Sequence, residues 1–134
     1  MPQSLLPIAQ SQLGQSWEKY CYWAGQSGRV EWCAIFVSWC ASQAGYHLVY
    51  LGHSGYLDPN PDNFTYYQVV GVGAEWFQSM NRLGMAPYWG GNYIPRPGDV
   101  VFFTWEHNPR LGGLDHTGIV ERVEGNTVYT IEGN

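Results

Sequence analysis

The chain has 134 residues, of which 45% are hydrophobic, 16% aromatic and only 13% charged, about half the usual charged share; this much apolar area in one short chain describes a single compact domain and excludes disorder. Six Lys and Arg against eleven Asp and Glu leave a net charge of −5, which opposes the phosphate neutralisation that nucleic-acid binding needs. The 17 Gly and 8 Pro follow no fixed period, which removes collagen-like and repeat architectures, and the longest apolar runs, Ala34 to Val37 and Val100 to Phe103, fall far short of the roughly 18 residues of a membrane span.

No Lys or Arg precedes Lys19, and Pro2, Gln3, Pro7 and Gln10 interrupt the apolar start. A signal peptide is therefore not expected here, and export requires either a leader already removed or another route. Residues 3 to 13 place Leu5, Leu6, Ile8, Ala9 and Leu13 at helical spacing, with Ser4 as cap and Gly14 as stop. From Gln15 to Glu31 the chain is rich in Gly, Ser and aromatics without periodicity, which predicts a loop packed by Trp17, Tyr20, Tyr22 and Trp23.

Residues 33 to 44 are apolar almost all round and stop before Gly45, the pattern of a buried central helix. Residues 46 to 72 read as mostly irregular. A further helix is predicted over 73 to 83, where Trp76, Phe77, Met80 and Leu83 form an apolar face. After Pro95 and Pro97, segments 99–104, 117–123 and 127–132 are rich in Val, Ile, Thr, Phe and Tyr and read as strands. Helices first and strands afterwards predict an α+β domain with an antiparallel sheet packed on the central helix.

Three cysteines, Cys21, Cys33 and Cys40, are too few for a disulfide framework, and no C-x-x-C pair is present for zinc. A lone cysteine is ordinarily a buried small hydrophobe. Cys33, however, lies at a predicted helix start, where unpaired N–H groups and the positive end of the dipole favour a thiolate nucleophile. Cys40 lies about 10 Å further along the axis, too far for a disulfide to Cys33, and reads as core. Of four histidines, His47, His53 and His107 fall in predicted loops, whereas His116 enters a strand beside Gly118 and is the candidate base.

A three-residue connection of Glu124, Gly125 and Asn126 between the last two strands would pair residues whose numbers sum to 250, setting Glu132 opposite Gly118 and Asn134 opposite His116. His116, Glu132 and Asn134 then share one face, and a polar acceptor on one imidazole nitrogen frees the other to take a thiol proton. A two-residue connection would send Glu132 to the other face.

The segment Trp32-Cys33-Ala34-Ile35-Phe36-Val37-Ser38-Trp39-Cys40, followed by Ala44-Gly45, resembles the nucleophile helix of CHAP domains, the cysteine- and histidine-dependent amidohydrolases and peptidases of the papain-like, NlpC/P60-related superfamily. Arg96-Pro97-Gly98-Asp99-Val100-Val101-Phe102-Phe103 is similar to that family's strand entry, Asp115-His116-Thr117-Gly118-Ile119-Val120 to its histidine strand, and Ile131-Glu132-Gly133-Asn134 to its acidic segment. The order and spacing agree over residues 32 to 134, and the opening helix is compatible, so residues 1 to 134 are expected to form one catalytic domain.

The resemblance implies a papain-like fold and hydrolysis of peptidoglycan amide bonds at the bacterial cell wall, by an endopeptidase or by an amidase separating peptide from glycan. Carried over by position, Cys33 is the nucleophile, His116 the general base and then acid, Glu132 its orienter and Asn134 a supporting polar residue, with the Cys33 N–H helping to hold the oxyanion. Trp17, Tyr20, Trp32 and Trp105 are the candidate walls of a substrate groove, although core packing is the ordinary role of such rings. A monomer without cofactor is expected. The carboxylate-rich calcium loop that many family members carry near the nucleophile does not carry over, since residues 20 to 31 offer only Glu31. Asp58-Pro59-Asn60-Pro61-Asp62 begins like a calcium loop, but Asn63 stands where Gly is required and Val69 where a bidentate Glu is. Gly52-His53-Ser54-Gly55-Tyr56 lacks the final Gly of a serine nucleophile elbow. Similar domains continue past the acidic segment, so either further chain after Asn134 or a last strand left as a sheet edge is expected. A catalytically silent wall-binding module and a cysteine acyl transferase are the alternative readings, and a phage lysin, a cell-division hydrolase and an exported toxin with an immunity or targeting partner are all compatible contexts.

Overall fold

The computed structural model describes residues 2–105, 107 and 110–134. Helix α1 spans Leu5–Ser11, shorter than expected, and the Ser4 hydroxyl caps it by accepting from the Leu6 N–H at 3.2 Å. Leu5 and Ala9 bury its inner side. The segment expected as a loop contains a six-residue helix, α2, over Glu18–Trp23. It is too brief to show a period among the surrounding Gly and Ser, and burial of Tyr20 and Cys21 holds it in place. The expected aromatic packing is present, with Trp17 set edge-on to Tyr22 at 5.5 Å.

Helix α3, Cys33–Gln43, is buried from Cys33 through Ala41, and Gly45 follows it at φ 95°. An all-apolar helix needs neighbours on every side. Here α1, α2 and the sheet provide them, giving a core that joins Leu5, Ala9, Tyr20, Ile35, Val37, Phe64, Tyr67 and Ile119. The N-terminal segment is tied to the far end of α3 by the Gln3 N–H donating to the Ala44 carbonyl at 2.9 Å.

Residues 46 to 72 are more ordered than their sequence suggests. Strands β1, His47–Tyr50, and β2, Asn63–Tyr66, pair in parallel. They join through a turn-rich crossover that includes the Asp58–Asp62 run, where Asp58 accepts from the Asn60 N–H and Asn60 from the Asp62 N–H. His47 therefore belongs to a strand, not a loop. Two four-residue strands separated by polar turns leave almost no alternation to read.

Helix α4 covers Val70–Ser79, earlier than the predicted 73–83. Asn81 takes a left-handed φ of 57°, and the Arg82 N–H reaches back to the Phe77 carbonyl at 2.8 Å, closing the helix before Leu83 can join its face. Trp76 is buried as expected, its indole N–H donating to the Tyr56 carbonyl at 2.9 Å.

The second sheet has the order β3-β4-β5, from Val100–Phe103, His116–Glu124 and Thr127–Ile131, all antiparallel. Helices before an antiparallel sheet, with α3 packed on β4, make the architecture α+β as expected. No described helix is long and apolar enough to cross a membrane.

Burial also sets an alkaline limit on stability. The Cys40 thiol is pushed up to about 12 from 9.0 by burial, and burial together with the nearby Cys40 lifts the Tyr20 phenol to about 12 from 10.0. Both groups hold their protons more tightly when folded, so their stabilising contribution is complete below the unfolded values and is lost as pH rises through 9.0 toward about 12. Thermal melts from pH 7 to 11 are expected to fall steadily above pH 9, and Cys40→Ala is expected to flatten that fall.

Candidate active site

Helix α3 begins without a side-chain cap, because Trp32 at the N-cap position has no hydroxyl or amide to offer. Its first N–H groups are left for other acceptors. Near the Cys33 sulfur, the backbone N–H groups of Thr117 on β4, of Ala34 and of Cys33 itself favour its anion. Burial nevertheless outweighs these donors and pushes the thiol pKa up, while the Glu31 carboxylate adds to the rise. Cys33 is 5% exposed. Desolvation thus outweighs the helix terminus at this sulfur and raises its pKa, against the preference for the anion that the helix start alone predicts.

Thr117 follows His116 directly, so the strand that hands an amide to the sulfur also carries the imidazole. His116 Nε2 lies 2.7 Å from Glu132 Oε1. The second carboxylate oxygen, Oε2, accepts from the Thr130 hydroxyl. Glu132 is held at both oxygens, and the Nδ1 atom of His116 is the ring nitrogen left for other work.

The register behind this pairing follows the expectation at the site but by a different device. Near the turn, Glu124 pairs with Thr127, Val123 with Val128 and Arg122 with Tyr129, so the connection has two residues, Gly125 and Asn126, not three. That ladder alone would put Glu132 on the wrong face. A bulge at Glu121 inserts one extra residue, after which Val120 pairs with Thr130 and Ile119 with Ile131. Gly118 accordingly lies against Glu132: a Cβ there would sit 2.7 Å from Glu132 Cγ and 3.1 Å from the Ile131 carbonyl oxygen.

Asn134 does not face His116. After Ile131 the chain crosses α3 so closely that a Cβ on Gly133 would come within 2.7 Å of both Phe36 Cβ and the Trp32 ring. Asn134 then turns away at φ 75°, and its amide donates to Glu31 Oε2 at 3.0 Å. It steadies a carboxylate near the sulfur, not the imidazole.

An open cleft of about 480 Å³ is lined by Cys33, Glu31, Gln68, Gly71, Trp105 and Asp115, among others. Of the four expected wall residues, only Trp105 reaches it. Trp105 is 63% exposed and stacks on His116 at 6.0 Å, with Phe103 behind it at 5.4 Å. Its backbone N–H is fixed by Asp115 Oδ2 at 2.7 Å. Tyr20, by contrast, is 1% exposed and stacks on the buried Trp32 at 5.3 Å, with Phe36 and Trp39 edge-on. Trp17 is half-buried against the same core. These three rings go inside because α3 is apolar all round and must be covered on the side away from the sheet.

Thr130, Asp115 and Gln68 also belong to the site and were not expected there from the sequence. Thr130 was findable, since it lies two residues before Glu132 and so on the same strand face. Gln68 sits in the link between β2 and α4, where nothing in the spacing marks it. The floor of the site is a polar relay: Tyr67 donates to the Thr117 hydroxyl at 3.0 Å and that hydroxyl donates to the Val101 carbonyl at 2.9 Å. Ser38 on α3 accepts from the Tyr67 N–H at 3.1 Å. This relay locks α3 to β4 and so sets the sulfur against the histidine strand. Cys21 and Cys40 are buried, and all three cysteines are free thiols.

Neither the curated proteins nor the solved structures contain a match to this chain. A family model, that of the CHAP domain, matches residues 12–134. The matched range takes in the helix of Cys33, the strand of His116 and the segment of Glu132, and the α+β architecture agrees with a papain-like CHAP fold. With nearly the whole chain covered, the protein belongs to the CHAP domain family, whose members are hydrolases of the peptidoglycan amidase and peptidase type.

Proposed function

We propose that the protein hydrolyses amide bonds of bacterial peptidoglycan by thiol catalysis at the cell wall, with Cys33 as nucleophile, His116 as general base and then acid, and Glu132 as the residue that orients His116. The observation that carries this reading is the shared strand: β4 packs on the helix that Cys33 opens, its Thr117 amide favours the Cys33 anion, and the adjacent His116 is anchored through Nε2 on Glu132.

In this mechanism Nδ1 of His116 takes the thiol proton as sulfur attacks the amide carbonyl. The carbonyl oxygen gains negative charge, and the Cys33 N–H at the start of α3 stabilises it. Collapse breaks the C–N bond, the imidazolium gives its proton to the departing amine, and a thioester remains on Cys33. Water then attacks the thioester with His116 as base, releasing the carboxylic acid and restoring the thiol. Trp105, stacked on His116 and exposed to the cleft, is the wall residue nearest this chemistry. Asn134 supports the site indirectly, through Glu31.

The test is digestion of purified peptidoglycan by the wild type and by Cys33→Ala, with the new ends identified by mass spectrometry. New amino and carboxyl termini within the peptide identify an endopeptidase, and free lactyl carboxyl groups on the glycan identify an amidase. Cys33→Ala is expected to produce neither. New ends from Cys33→Ala at the wild-type rate would refute the nucleophile, and binding without new ends in both proteins would make this a silent wall-binding module.

A further inference from the structure

The ends of β1 and β2 carry a second feature that the amide chemistry does not use. Tyr50 and Tyr66 are register partners in the parallel pair, so their side chains emerge on one face, with ring centroids 5.1 Å apart. Trp23 of α2 extends the row beyond Tyr66 at 5.7 Å, and His53 extends it beyond Tyr50 at 5.9 Å. Trp23 is 38% exposed and Tyr50 47%. A row in which Trp23, Tyr50 and His53 are exposed and Tyr66 is half-buried, in a chain that buries Tyr20, Tyr67 and Trp76, is not explained by core packing.

The row is continuous with the cleft of Cys33. Gln68 lines that cleft and donates from Nε2 to the Tyr66 hydroxyl at 2.6 Å, while Gln26 donates to Gln68 Oε1 at 2.8 Å. The Tyr66 oxygen is the acceptor in this bond, so the phenol keeps its own hydrogen to donate outward. No Lys, Arg, Asp or Glu stands among these six side chains. Aromatic faces spaced by amide and hydroxyl groups, without charge, match a neutral polyhydroxylated ligand: the apolar C–H faces of sugar rings cover the aromatics, and hydroxyl and acetamido groups meet the polar atoms. An acidic or basic peptide would find no counter-charge among these six side chains.

We infer that Trp23, Tyr66, Tyr50 and His53 form a glycan subsite, which holds the sugar strand of the substrate beside the cleft in which Cys33 attacks the peptide. This rests on the hydrolase reading above and adds to it where the polysaccharide lies.

The experiment uses three probes with wild type, the Trp23→Ala/Tyr50→Ala double variant and Tyr50→Phe, each checked for native circular dichroism. A β-1,4-linked tetramer of N-acetylglucosamine is titrated by tryptophan fluorescence and by amide chemical shifts. Hydrolysis rates are measured on intact sacculi and on a soluble, glycan-free stem peptide. Wild type and Tyr50→Phe are expected to bind the tetramer. The double variant is expected to lose that binding and about tenfold of its rate on sacculi, a loss typical of truncated aromatic anchors, with turnover of the glycan-free peptide unchanged.

Failure of wild type to bind the tetramer, or full activity of the double variant on sacculi, would overturn the subsite while leaving the hydrolase reading intact. Tetramer binding through these rings without hydrolysis of any substrate would support the subsite and remove the hydrolase. A wild-type dimer in sedimentation that dissociates in the double variant, without saccharide binding, would assign the row to a second copy of the chain and also overturn the proposal.

Discussion

His116→Ala is expected to lower amide hydrolysis by about 10³-fold, within the range for loss of a positioned general base, and to make Cys33 unreactive toward iodoacetamide at neutral pH. The second result follows from the burial of the sulfur. Desolvation pushes the thiol pKa up, and the N–H groups of Thr117, Ala34 and Cys33 recover only part of that rise. A raised pKa leaves less anion at neutral pH, so a base that removes the proton as the sulfur reacts is expected to govern the rate. Without the imidazole, alkylation is expected to be slow at neutral pH and to accelerate as pH climbs past the ordinary thiol range, because hydroxide then takes the proton. Alkylation of His116→Ala at pH 7 as fast as in wild type would show that the imidazole is not the base for this sulfur. Glu132→Gln, which keeps an acceptor oxygen on Nε2 but removes the charge, is expected to fall between wild type and His116→Ala.

Gly118→Val is expected to abolish most activity while the domain stays folded. Gly118 is the strand residue that faces Glu132, and even a Cβ would approach Glu132 Cγ to 2.7 Å. A branched side chain must displace the carboxylate, because the other close atom is the Ile131 carbonyl oxygen in the backbone, which cannot give way. Overpacking of this kind costs about 1–3 kcal/mol. The loss of activity should be much larger than that strain alone implies, since Glu132 leaves both His116 Nε2 and the Thr130 hydroxyl. The decisive comparison is the double variant Gly118→Val/Glu132→Ala. If the valine acts by moving Glu132, the double variant is no worse in kcat/KM than the worse single variant, whereas additive losses would assign Gly118 a separate role.

The candidate site residues were legible because their local signals are strong. Cys33 opens an apolar run ended by Gly45, and His116 opens a strand of Thr, Ile and Val, so the sequence placed each at the entry of the correct element. The α+β architecture followed from the same periodicities. Short elements were not legible: α2 has six residues and β1 and β2 four each, lengths at which no period is established and only packing against α3 stabilises the conformation.

What the sequence by itself determined is parity. Gly118 and Glu132 can be cross-strand partners only if the hairpin contains an odd connection or one bulge, because side chains alternate strictly along a strand. Which device is used, the bulge at Glu121 with a two-residue turn, was decided by the tertiary structure. The same holds for the aromatic residues. Their number shows that a large apolar area exists, but only the tertiary structure decides that Tyr20 and Trp32 are buried, that Trp105 stands over the imidazole, and that Trp23 and Tyr50 remain at the surface. Tertiary structure likewise set the state of the Cys33 thiol, since a helix start favours the anion and the depth of burial, a property of the whole fold, outweighs it.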